Sequence, residues 1–90
     1  EVIENIFFEE RRELILEALK RLSEKEQYII IHRYGLTTGE KKTQKNISQE
    51  INMSQANVSK LQKNSMEKLK RHLKNILEDK ELTLGKALES

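Results

Sequence analysis

Between Ser54 and Lys63 the chain alternates hydrogen-bonding and apolar side chains at helical spacing. Val58 and Leu61 fall on one side of such a helix. Gln55, Ala56, Ser59, Lys60 and Lys63 then fall on the other. A carboxamide, a hydroxyl and two ammonium groups, with no nucleophile or base beside them, do recognition rather than covalent chemistry. They suit the base edges of duplex DNA. Gln bonds adenine through two hydrogen bonds, and Lys bonds guanine. Ala56 offers only apolar contact, for example to a thymine methyl. Asn57 lies at the edge of the face, within reach of a base or a phosphate. A helix entering the major groove N-terminus first presents residues in this way.

The elements that must hold this face are legible just upstream. Ser54 is an N-cap for the helix. Thr43 is an N-cap for a shorter helix ending near Ile51. Ile47 and Ile51 are one turn apart and point that helix inward. Ser48 is small where two helices must approach closely. Asn52 stands where the chain must turn, and Asn is the best choice after Gly for a positive φ. Together these residues spell a helix-turn-helix. Two amphipathic helices joined by any short turn share part of the pattern. The full set, with a polar outer face, favours DNA. Thr43 is placed to meet a phosphate through its hydroxyl and the nearby N–H groups. Arg33, Lys41, Lys42, Lys45 and Lys63 are further phosphate candidates, adding affinity more than sequence choice.

Charge supports the same region. The net charge is only +2, yet residues 41–76 hold nine Lys or Arg against two Glu. Residues 1–40 and 77–90 are both net acidic. A polyanion responds to the local field, not to the average. A charge block alone reads as a solvated helix face; its coincidence with the motif changes that.

Other chemistry finds little support. His32 and His72 are far apart in sequence and have no partner at metal-ligand spacing. No Gly-rich phosphate loop or nucleophile elbow is present. Glu9, Glu10, Arg11 and Arg12 read as surface pairs along a helix. The chain is not expected to be an enzyme or to need a metal or cofactor. It has no Cys and no apolar run of membrane-spanning length. It begins with Glu rather than Met and reads as a piece of a longer protein.

With no Pro and three Gly in 90 residues, an all-α fold is expected. Phe8, Ile15, Ala18, Leu19 and Leu22 predict a first helix near 8–22. Ser23 and Glu26 form a capping-box pattern that starts a second helix at Glu24. Tyr28–Ile31 could instead form a short strand, but the box before it and Gly35 after it favour helix. Thr37–Lys42 reads as a loop. Val58, Leu61, Ser65, Leu69, Leu73 and Ile76 predict a long fourth helix near 55–78. Residues 79–90 read as a frayed extension, a short extra helix or a tail. The expected domain is thus 1–78, a first helix pair packed on a C-terminal helix-turn-helix.

Two segments carry a family resemblance: LSEKEQYIIIHRYGL over 22–36, and KTQKNISQEINMSQANVSKLQK over 42–63 followed by MEKLKR over 66–71. Together they resemble region 4 of bacterial σ70-family RNA polymerase sigma factors. Ser54-Gln55 and Val58-Ser-Lys-Leu61 look closer to the sporulation and stress-response members than to the housekeeping type. The resemblance implies recognition of the promoter −35 element and docking on the β flap of RNA polymerase core. It also admits an anti-sigma factor as a partner and implies a cytoplasmic, nucleoid-associated setting. It carries Gln55, Ala56, Ser59 and Lys60 onto base-reading positions, and Arg33, Thr43 and Asn57 onto backbone-contact positions. Lys45 and Lys63 join the backbone set by charge. Housekeeping factors have an Arg-Glu pair where this chain has Gln55-Ala56, which implies a different promoter preference. Ile29, Ile30 and Ile31 line the flap groove or pack the core. A free-standing helix-turn-helix regulator and a helical interaction module without DNA contact remain as alternatives.

Overall fold

The computed structural model describes residues 2–89, with side chains described from Glu10 onward. It contains four helices: α1 (Val2–Leu19), α2 (Glu24–Tyr34), α3 (Gln44–Glu50) and α4 (Gln55–Glu89). The described chain is all-α. The backbone divides into two compact units, Leu22–Lys68 and a second built from Glu1–Arg21 with Leu69–Ser90.

Residues 22–68 begin with the capping box. Ser23 donates its backbone N–H to Glu26 Oε1 at 3.0 Å, and Glu26 returns its own N–H to Ser23 Oγ at 3.3 Å. Two N–H groups that the helix cannot satisfy are thereby paired. Tyr28–Ile31 is helical, so the capping box and Gly35 outweigh the β-branched run. α2 stops at Gly35, whose φ of 64° is left-handed. The N–H of Leu36 then reaches back to the Ile31 carbonyl at 2.9 Å. A Cβ on Gly35 would sit 3.0 Å from backbone atoms of Gly39 and Glu40. The loop folds tightly over that glycine, and Lys42 N–H closes it on the His32 carbonyl at 2.9 Å.

Ile29 from α2, Ile47 from α3 and Val58 from α4 form the centre of this unit, each fully buried. Tyr28, Ile51, Met53 and Leu61 pack around them. Ile30 is also buried, so Ile29 and Ile30 are core residues and not the lining of a groove. Glu26 is a charged residue among the buried ones, and it is paired: Lys68 Nζ lies 2.9 Å from its Oε2.

The other unit buries Ala18 and Leu19 of α1 and Leu69 and Ile76 of α4. Three boundaries differ from the sequence reading. α1 begins at Val2 instead of near 8. α1 ends at Leu19 instead of 22, because the Arg21 N–H bonds the Ala18 carbonyl in a tightened last turn. α4 runs to Glu89 instead of 78. Nothing in 79–89 breaks a helix except Gly85, which costs only about 1 kcal/mol relative to Ala. Leu82, Leu84 and Leu88 are largely exposed there. The Phe8 side chain lies outside the described residues.

Gly35→Ala should destabilise the fold by about 1–2 kcal/mol, from the left-handed φ and the tight loop together; chemical denaturation measures this. Glu26→Gln keeps the capping box but loses the ion pair with Lys68. The Lys68 hydrogen bond, then the Ser23 N–H, holds the Glu26 carboxyl below its ordinary 4.5. The stability that this shift supplies is fully present above about pH 4.5 and is lost as pH falls through the lower, folded value. The melting temperatures of wild type and Glu26→Gln should therefore differ at neutral pH and converge as the solution is acidified through the lowered Glu26 value.

Candidate nucleic-acid interface

The junction of α3 and α4 follows from four small polar residues. Thr43 stands in extended conformation, and its hydroxyl accepts the Asn46 N–H at 3.1 Å. Ser48 is buried and donates its hydroxyl to the Lys45 carbonyl at 2.6 Å. That bond satisfies its polar atom and lets the helices approach. Asn52 takes φ 54°, alone among the described non-Gly residues in being positive. The Met53 N–H then bonds the Ser48 carbonyl at 2.9 Å. Ser54 accepts the Asn57 N–H at 3.1 Å and opens α4.

With Val58 fully buried and Leu61 partly so, Gln55, Ala56, Asn57, Ser59, Lys60 and Lys63 are all exposed. They occupy the first two and a half turns of α4. Thr43 and Lys45 are exposed as well, at the start of α3. A hydroxyl has one proton and two lone pairs. Thr43 caps α3 with a lone pair, which leaves its proton to donate to an anion.

Two cations of the predicted set are engaged inside the fold. Lys42 forms an ion pair with Glu50 at 2.8 Å. The Tyr28 hydroxyl donates to the other oxygen of the same carboxylate. Lys42, then Tyr28, holds the Glu50 carboxyl low, while Glu50 raises both the Tyr28 phenol and the Lys42 ammonium. The Tyr28 ring also stacks at a tilt on His32, with centroids 4.1 Å apart. Arg33 is half-buried and points one guanidinium N–H at the Lys42 carbonyl, 3.4 Å away. It braces the loop that leads into Thr43.

These links were not visible in the sequence reading. Lys42 and Glu50 are eight positions apart, and Tyr28 and Glu50 twenty-two, so neither pair leaves a helical signature. His32 and His72 are half-buried, and no group of His, Asp or Glu among the described residues could hold a metal ion. No helix among the described residues is long and apolar enough to cross a membrane.

Residues 18–71 match the family Sigma-70, region 4. The chain belongs to that family. It is also 39% identical over 66 residues to the RNA polymerase sigma-E factor of Clostridium acetobutylicum. That alignment covers 73% of this chain and 28% of the relative. The match spans the capped helix α2, the helix-turn-helix and the first part of α4. This sigma region 4 domain is therefore a DNA-binding module of a sigma factor, and its fold places the exposed helix of the motif at the start of α4.

Lys42→Ala should lower thermal stability, because Glu50 loses its ion-pair partner. It should leave the salt dependence of duplex binding as in wild type. Lys63→Ala should do the reverse, reducing the log–log salt slope by about 0.9 with little change in melting temperature. Fluorescence anisotropy across a salt series separates the two.

Proposed function

We propose that this sigma region 4 domain reads the promoter −35 element with α4 and docks on the β flap of RNA polymerase, directing initiation to chosen promoters. The observation that carries the reading is the division of α4 by burial. Val58 is sealed in the core beside Ile47, while six neighbouring residues with recognition chemistry are open to solvent. The resemblance to an RNA polymerase sigma factor supports a polymerase partner.

In this reading Gln55 bonds an adenine edge and Lys60 a guanine edge. Ser59 bonds either kind of base, and Ala56 packs on a thymine methyl. The outer face thus combines two long polar anchors with two short contacts. Gln55-Ala56 replaces the charged pair of housekeeping factors, so the preferred element differs from theirs. Thr43, Lys45, Asn57 and Lys63 grip phosphates and set the register without choosing sequence. Arg33 supports that grip through the loop backbone.

Lys60→Ala should change which duplexes are preferred, costing about 1–3 kcal/mol at one base position and little elsewhere. Thr43→Ala should weaken all duplexes alike. Thr43→Ser keeps both cap and proton and should bind as wild type. Selection from duplexes randomised through the −35 element reads all three. An equal loss across every sequence for Lys60→Ala would sink the base-reading role. A pulldown that shows no affinity for the β flap, with DNA preference intact, would point to a free-standing regulator.

A further inference from the structure

α4 carries a residue at the border between its buried and exposed faces that touches both other helices of the 22–68 unit. Gln62 follows Gln55 by seven positions, about two turns, and so lies along the same edge of the helix. It is half-buried. Gln44 donates its side-chain N–H to Gln62 Oε1 at 2.8 Å. Gln62 passes the chain on, donating from Nε2 to the Tyr34 hydroxyl at 3.3 Å. Gln44 is the first residue of α3, next to the Thr43 cap, and Tyr34 is the last of α2.

We propose that Gln62 is a positioning residue for promoter reading: the Gln44–Gln62–Tyr34 chain sets the rotation of α4 relative to the Thr43 end of α3, so that base edges and phosphates are met in one register. The proposal rests on the −35 reading above. Its physical basis is the difference between the two kinds of contact at the junction. The apolar packing of Val58 and Leu61 on α3 is strong but non-directional, and tolerates a small rotation. Hydrogen bonds weaken steeply as they misalign. A carboxamide is the side chain that accepts at one atom and donates at the next, so Gln at 62 can join two helices where Leu or Met could only fill space. The link ends beside Thr43, the residue assigned to the phosphate grip. A small turn of α4 would leave that grip in place and move Gln55 and Lys60 off their bases. Loss of the chain should therefore reduce discrimination more than affinity.

The test uses the 90-residue chain and duplexes matched or singly mismatched to the −35 element selected by wild type. Gln62→Met preserves length and removes both hydrogen bonds. It should retain the wild-type helical spectrum and salt slope, and lose about fivefold in the ratio of matched to mismatched binding. Gln62→Glu still accepts from Gln44 and should recover most of that ratio. Tyr34→Phe should fall between them. In the Gln62→Met background, Lys60→Ala should change preference less than it does in wild type. A purely structural role would lower melting temperature and weaken all duplexes equally. Wild-type discrimination in Gln62→Met overturns the proposal. If that variant does not fold, wild-type discrimination in Tyr34→Phe overturns it instead. A wild-type chain without any preference among duplexes would defeat the −35 reading itself, an outcome distinct from an unchanged Gln62 variant.

Discussion

The contact among Ile29, Ile47 and Val58 holds together the three helices that carry the site. Each residue comes from a different helix, and each is withdrawn completely from water. Burying one such side chain contributes roughly 1.5–3 kcal/mol. The same contact decides which way α4 faces. A helix turns by about 100° per residue. If a neighbour of Val58 took its place, Asn57 or Ser59 would enter the core, and a buried polar group without a partner is costly. The polar face of α4 is therefore the complement of the core. It needs no separate instruction to point outward.

The turn between α3 and α4 converts that contact into a fixed geometry. Ser48 leaves room for close approach, and its hydroxyl is satisfied within its own helix. Asn52 takes a left-handed conformation that most side chains resist. Thr43 and Ser54 cap the two helices with side-chain oxygens. Each device removes a local reason for the chain to do something else. Together they leave the apolar residues one common solution.

Charge is sorted by the same packing. Lys42 is drawn onto Glu50, whose other oxygen accepts from Tyr28, and Lys68 onto Glu26. Both lysines belong to the basic block that marks the region in sequence, but their fields are partly cancelled by nearby carboxylates. The basic character offered to a polyanion rests on exposed side chains such as Lys41, Lys45, Lys60 and Lys63. The block in the sequence thus overstates the number of cations that face outward. It still locates the correct part of the chain.

The elements were legible where their causes are local. The Ser23–Glu26 box, Gly35, Thr43, Asn52 and Ser54 act on residues within five positions of themselves, so a single sequence displays both partners. The spacing of Val58 and Leu61 likewise marked the face of α4 before any contact was known. The end of α4 was less legible, because helix in 79–89 is decided by the absence of a stop signal rather than by the presence of one. What only the tertiary structure decided are the polar links between helices. Gln44 meets Gln62 across 18 positions, Tyr34 meets Gln62 across 28, and Lys68 meets Glu26 across 42. No period in the sequence encodes such pairs. They exist because apolar burial first brings the helices together, after which side chains of the right length find each other.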